Sequence, residues 1–276
     1  MTTTAVHDLD LPLLEMNELE RDAALEAIGA AREKSWLART LIGFMVLRYE
    51  DAVAVLRDRR FHSALSLIPE IAGLPEADEF FENRRRSILT MEGDEHARVR
   101  RLVAPAFTPA SVERLRPFMR EVIAELVGQL SDQGRCEFVA EVCEPYPIPI
   151  ICELLGAPRQ DWKLFSGWAT DIFRIFNQNL EQDLPLIRRA GTELESYVRA
   201  MVDERRRDPQ EDLLSALIAV EESGDRLSTD ELVMLAEAVL MAGTDTTRNQ
   251  LGCSVALLAQ HPDQWEKLAR NPELAP

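Results

Sequence analysis

Positive charge is scarce in this 276-residue chain: 31 Lys and Arg stand against 48 Asp and Glu, a formal net charge of −17. A general nucleic-acid binder needs a net basic face to neutralise phosphates, so that class is excluded. Long apolar runs are also missing. No window holds the roughly 18 consecutive apolar residues of a membrane helix, and no membrane association is expected. Met1 to Asp10 contains no Lys or Arg and no apolar stretch, so no secretory signal is expected there. Cysteine pairing signals are absent. Cys136, Cys143, Cys152 and Cys253 form no Cys-x-x-Cys, and four cysteines in a chain of this length are no disulfide framework. Buried thiols in a reducing cytoplasm are the expectation. There is no internal repeat and no low-complexity tract. With 46% hydrophobic and 29% charged residues the composition is that of a folded globular protein. The length allows one large domain or two small ones.

What is present is mostly helical patterning. Glu15 to Arg32 reads as an amphipathic helix. Ser35 to Thr40 and Phe44 to Arg48 look extended, joined through Gly43 into a small hairpin. Asp51 opens another helix through Ala52, Val53, Val55 and Leu56. From His62 to Glu92 the pattern is poor, punctuated by Pro69, Gly73 and Pro75, and reads equally as a binding loop or a plain surface excursion. Asp94 to Val103 is helical and stops before Pro105. Thr108-Pro109 begins a helix to about Leu130, with proline where its missing N–H costs little. Glu137 to Leu155 is helical, interrupted by Pro145, Pro147 and Pro149. Asp161 to Leu180 and Leu186 to Arg207 read as an antiparallel pair around Pro185. Glu211 to Glu222 is a short helix ending at Gly224. Ser228-Thr-Asp-Glu231 is a capping box, and the helix it opens would be about 48 Å long if continuous to Gln260, at about 1.5 Å per residue. Its apolar residues fall on nearly every face, which predicts burial on most sides. Pro262 starts a last short helix.

Three constellations could carry chemistry. In Ala242-Gly-Thr-Asp-Thr-Thr247, side chains that compete for backbone hydrogen bonds follow a glycine. Local grounds favour a break, with one helix ending at Gly243 and another capped by Thr244 or Asp245. The alternative is a locally opened buried helix, where small residues admit a flat ligand and hydroxyl and carboxylate groups handle protons. In His96-Ala-Arg-Val-Arg100, His96 and Arg100 share one helix face, and Arg98 points elsewhere. That face is either merely solvated or binds carboxylates. Finally, Arg84 to Arg120 holds nine Arg, no Lys and four acids. This basic window in an acidic chain reads equally as chance clustering or as a surface for an acidic partner or anionic cofactor.

Together these segments resemble a bacterial cytochrome P-450, a haem-thiolate monooxygenase. Met91-Glu-Gly-Asp-Glu-His-Ala-Arg-Val-Arg-Arg-Leu-Val-Ala-Pro-Ala-Phe-Thr-Pro109 resembles the family's C-helix and the turn after it. Ala242-Gly-Thr-Asp-Thr-Thr247 resembles its oxygen-binding I-helix motif. Tyr49 to Asp58, before Phe61, resembles its B-helix entry, and Ile151-Cys-Glu-Leu-Leu-Gly156 a further segment. The four lie in the family's order along nearly the whole chain. The resemblance favours the continuous helix over the break. It implies a mainly α fold with a small β-hairpin near the N-terminus, and a haem cofactor. His96 and Arg100 would serve the haem propionates. Ala242 and Gly243 would leave room for dioxygen. Thr246 would be the oxygen-activating threonine and Asp245 the acid that relays protons. The 62–92 stretch would lie over the pocket of a small organic substrate, with the 161–207 helix pair as lid. Electrons would come from a ferredoxin-type redox partner, for which the Arg84–Arg120 window is a possible docking face.

The sequence departs from the pattern in places. Glu92-Gly93 stands where the family usually has prolines, and Ala97 replaces a common threonine. Family chains continue with a Glu-x-x-Arg on the next helix and a Gly-rich loop holding the iron-ligating cysteine. Glu-x-x-Arg matches such as those beginning at Glu18, Glu82, Glu95 and Glu113 precede the I-helix-like segment. None of the four cysteines sits in a Phe-x-x-Gly-x-x-x-Cys context, so no metal ligand is assigned. The expectation is therefore a single domain over 1–276, truncated at its C-terminal side and inactive alone for want of the ligand. The rival is a non-catalytic helical binding protein derived from the same family. Solubility and cooperative unfolding without haem would favour that rival.

Overall fold

The computed structural model describes residues 5–15, 19–41, 43–64, 67, 79–130, 134–176, 180–222 and 225–275. They fall into two units, Met1–Ile71 and Ala72–Pro276.

In the first unit, helix α1 (Arg21–Lys34) starts six residues after Glu15, where the sequence pattern begins. Strands β1 (Leu37–Thr40) and β2 (Gly43–Val46) form the expected antiparallel hairpin, with Leu37 opposite Val46 and Thr40 opposite Gly43. Gly43 takes φ +148°, a conformation few side chains adopt, which fits it to close this turn. The backbone of Leu14 donates to Arg39 and that of Arg39 to Pro12, so the chain before α1 flanks β1. Leu14, Ala31 and Ala38 are the buried centre. Helix α2 (Tyr49–Arg57) begins two residues before Asp51.

In the second unit, the poorly periodic stretch contains a short helix, α3 (Glu79–Arg84), whose Phe81 is buried. Most of the remainder, 65–66 and 68–78, lies outside the described residues. Then come α4 (Gly93–Val103) and α5 (Pro109–Leu130). A π-helical turn over Val139–Cys143 leads into α6 (Pro147–Leu155). The prolines of this region sit at turns and in the first turn of α6, where no intrahelical N–H bond is lost.

Helix α7 (Trp162–Phe173) packs along α8 (Leu180–Arg207). Pro185 does not lie between the two. It is inside α8, close enough to the start that its missing N–H removes a single early bond, while buried Leu180 anchors the turn before it. Helix α9 (Leu213–Ala219) is shorter than the sequence suggests. Glu221–Glu222 form strand β3, paired with β4 (Asp225–Arg226), and do not extend the helix. Asp212 stops α9 from growing backwards by capping it, its Oδ1 accepting from the Ser215 N–H at 2.7 Å.

Helix α10 (Thr229–Gln260) is continuous over 32 residues, and α11 (Pro262–Arg270) comes after it. The capping box is present: Ser228 Oγ accepts from the Glu231 N–H at 3.2 Å, and Glu231 Oε2 accepts from the Ser228 N–H at 2.7 Å. The helix does not break at Gly243. Thr244 Oγ1 donates to the Leu240 carbonyl at 2.6 Å and Thr246 Oγ1 to that of Ala242, so both hydroxyls are satisfied within the helix. Burial on most sides holds only for its first half, from Leu232 to Thr244; beyond Thr244 none of its residues is buried. The core of this unit joins α4, α6, α7, α8, α9 and the first half of α10, and centres on Phe165, Ile148, Leu194, Leu214 and Leu240.

Candidate functional site

Helix α4 and the first half of α10 carry most of the residues singled out in the sequence. In α4 the periodicity turns Val99, Leu102 and Val103 into the core, which leaves Arg100 exposed and His96 half-buried on other faces. Arg100, Val103, Ala104 and Phe107 form one wall of a cleft of about 380 Å³. Leu235, Ala238, Val239 and Ala242 of α10 form the other, and Ile88 and Leu89 complete it. The structure thus brings Arg100 and Ala242 to one cleft. His96, one turn before Arg100, does not line it.

Gly243 looks the other way. A β-carbon at this position would come within 2.9 Å of Ile151 Cδ1 and 3.1 Å of its Cγ1, so the missing side chain lets α6 approach α10. Thr246 is exposed and tied to the carbonyl of Ala242. Asp245 is half-buried and its carboxylate is ion-paired with Arg248 one turn on, a partner that sequence reasoning missed although the three-residue spacing carries it.

The arginine window is partly internal wiring. Arg98 does point away from His96 and Arg100. It donates to Asp225 Oδ1 at 3.2 Å and to Glu231, the capping-box glutamate of α10. Arg84 is ion-paired with Glu237 of α10, both side chains nearly buried. Burial pushes the Glu237 carboxyl up, and the Arg84 guanidinium only partly offsets this. Neither pair can be read from local pattern, because the partners are more than a hundred positions apart. A larger cleft, about 710 Å³, lies beside Arg98, Arg199, Asp230 and Glu231. Its walls are strongly charged, with Arg98–Glu231 and Arg199–Asp230 paired along them, whereas those of the α4–α10 cleft are mostly apolar.

The cysteines are all unpaired, and two of them, Cys136 and Cys253, are exposed, contrary to the expectation of buried thiols. Cys143 and Cys152 are buried; desolvation raises the first and pushes the second up to about 12, which keeps both as thiols. None of the four lines the α4–α10 cleft. The described residues hold no cluster of His, Cys, Asp and Glu suited to a metal ion. No helix among them is long and apolar enough to cross a membrane.

The cleft has the chemistry of a site for a flat amphiphile: apolar walls, a small residue on α10, and one guanidinium to meet a carboxylate. A haem with its propionates fits these residues. A mainly helical fold with a long capped helix crossing such a cleft defines a class, and comparison with known proteins identifies it. Residues 160–272 match the family described as cytochrome P-450. The chain is 33% identical to luteothin monooxygenase of Streptomyces thioluteus, over all of this chain and 68% of that protein. It is 35% identical to mycinamicin IV hydroxylase/epoxidase of Micromonospora griseorubida, over 88% of this chain and 57% of that one. Among solved structures, CalO2 superposes with a TM-score of 0.79 at 28% identity, over 92% of this chain and 64% of that chain. This chain belongs to the cytochrome P-450 family, and its relatives are named as monooxygenases, hydroxylases and epoxidases. It spans between 57% and 68% of the length of these curated relatives.

Proposed function

We propose that the α4–α10 cleft holds the haem of a monooxygenase that inserts one oxygen atom of dioxygen into a small organic substrate. The observation that carries this reading is the juxtaposition of Arg100 and Ala242 across one apolar cleft. Arg100 would donate to a propionate, with His96 one turn away as the second donor. Ala242, lacking a bulky side chain, would allow close approach to one face of the group. Bound haem supplies the activation of dioxygen.

The chain's own residues would supply protons. The Thr246 hydroxyl is exposed at the turn after Ala242 and donates to the Ala242 carbonyl, a bond that would orient its oxygen to accept and pass on a proton. Asp245 resupplies Thr246 once its carboxylate swings away from Arg248, which makes that pair the resting position of the relay. Gly243 contributes by letting α10 lie close to α6, not by facing the cleft. Electrons would come from an acidic ferredoxin-type partner in the cytoplasm. The docking face would use the arginines of the 84–120 window other than Arg84 and Arg98, whose charges are committed to α10, and Arg100, which would serve the propionate. None of the four cysteines lines the cleft, so none of them would be its iron ligand.

Titration of the chain with hemin, monitored by the Soret band, tests the site. Saturable binding is expected, and R100A should weaken it about 10- to 100-fold, the worth of one charge-assisted hydrogen bond of about 1.5–3 kcal/mol. No saturable binding, or equal binding by R100A, would overturn the reading. The reduced, carbon-monoxide difference spectrum of the hemin-loaded chain should lack a thiolate band. A thiolate band would show that one of the four cysteines is the ligand after all.

A further inference from the structure

Three elements of the second unit meet at one guanidinium. Arg84, the last residue of α3, stacks on Phe80 with its guanidinium carbon 3.7 Å from the ring centre. It is ion-paired with Glu237, which comes from the buried half of α10. The side chains are 16% and 8% exposed, so water offers neither charge a substitute partner. The third element is α8. A β-carbon on Gly191 would lie 2.6 Å from Arg84 Nη2 and 2.8 Å from Phe80 Cε2, so a larger residue there would push the stacked guanidinium and ring out of this position.

The main chain of Arg84 is tied to the segment just after it. Its carbonyl accepts from Thr90 Oγ1 at 2.8 Å and from the Ser87 N–H at 3.0 Å. The Ser87 carbonyl in turn accepts from the N–H groups of Thr90 and Met91, both at 2.9 Å. Residues 84–91 therefore form one hydrogen-bonded knot, and Ile88 and Leu89 within it line the α4–α10 cleft. Ile88 and Met91 of the knot also share a small pocket with Met234 and Leu235 of α10.

We propose that Arg84 and Glu237 are positioning residues: their ion pair pins the 84–91 knot to α10 and so holds Ile88 and Leu89 over the cleft. Gly191 is the third part of the device, because its missing side chain admits the pin. The pin itself rests on these contacts alone; that it shapes a haem cleft rests on the proposed function.

Hydrogen–deuterium exchange of the full 276-residue chain tests the pin without any ligand. Glu237→Ala should raise exchange in 85–91 on the order of tenfold, while the core segments 148–155 and 194–202 keep wild-type rates. Glu237→Gln, which can still accept from Arg84, should restore near wild-type exchange. Gly191→Ala should loosen the same segment with both charges in place. Unchanged exchange of 85–91 in Glu237→Ala overturns the proposal. If Glu237→Ala loses its fold, Gly191→Ala decides: a rise confined to 85–91 supports the pin, and none overturns it. Hemin titration supplies the second readout, with affinity expected to fall about fivefold in Glu237→Ala and to recover in Glu237→Gln. Loosened exchange with unchanged hemin affinity overturns the positioning role. A wild-type chain that binds no hemin sinks the haem reading alone, and the exchange data still judge the pin.

Discussion

Gly243 and Ile151 pack against each other where α10 crosses α6, with space between the helices too small for a β-carbon to enter without displacing Ile151. Its neighbour Ala242 lies on the wall of the α4–α10 cleft. Two adjacent small residues therefore do different work, one permitting helix contact and the other access to the cleft.

Substitutions at the two positions should separate these roles. In Gly243→Ala, crowding of Ile151 costs about 1–3 kcal/mol, and the better helix former returns about 1 kcal/mol. The expected net loss is about 0–2 kcal/mol in urea unfolding, with hemin affinity within about twofold of wild type. Ala242→Leu changes a position that is not buried, so stability should stay within about 0.5 kcal/mol. Its side chain fills the cleft, and hemin affinity should drop at least about tenfold. The reverse pattern would put Gly243, not Ala242, in the site.

Much of this was legible in the sequence. The hairpin could be read from two extended runs around Gly43, and the start of α10 from Ser228 and Glu231, because both signals are local. What was not legible depends on tertiary partners. Pro185 looks like a turn residue until buried Leu180 extends α8 past it. The apolar periphery of α10 gives no sign that burial stops at Thr244. Arg84 and Arg98 read as members of a charged surface, since nothing local announces partners at Glu237 and Glu231. Gly243 stands out for its smallness, but which neighbour needs it depends on where α6 packs.

Asp212 is a concentrated point of stability. It caps α9 through Ser215, and its Oδ2 accepts from Arg205 Nε at 2.5 Å. Arg205 also donates to the Gly156 carbonyl at 2.6 Å, at the left-handed turn that ends α6. Asp212→Ala removes the cap and leaves the largely buried Arg205 guanidinium with only the exposed Glu204 carboxylate and the Gly156 carbonyl as partners. A loss of about 3–5 kcal/mol is expected by chemical denaturation. A loss under about 1 kcal/mol would mean that water replaces the carboxylate and the network is not buried in solution.

Thiol accessibility gives a direct check on the packing of the π-turn and α6. Cys136 and Cys253 are exposed, whereas Cys143 and Cys152 are buried and their thiols are held protonated by desolvation. A thiol-specific disulfide reagent at pH 8 should modify two cysteines of the native chain quickly and all four only in denaturant. Rapid modification of Cys143 would show that the π-turn opens, and of Cys152 that α6 does.

The last prediction concerns acid and the Glu237 carboxyl. Its folded value is raised above the ordinary 4.5, with burial the leading cause and Arg84 opposing it. A group with a raised folded value binds its proton more tightly in the native than in the unfolded chain. Its stabilising contribution is therefore fully present below the ordinary value and is lost as pH rises through the folded one. Glu237→Gln mimics the protonated carboxyl at every pH and removes this dependence. Urea unfolding of the two chains from about pH 4.5 to 8 should show Glu237→Gln gaining on wild type as pH rises, each unit of raised value contributing about 1.4 kcal/mol. The gain should level off above the folded value. A difference that stays flat across the window, or that favours wild type increasingly at high pH, would mean that Arg84 outweighs burial and that the pair is ionised at a net gain. The direction of that curve decides whether the Arg84–Glu237 contact stabilises the fold or is a cost the fold bears to hold the 84–91 knot in place.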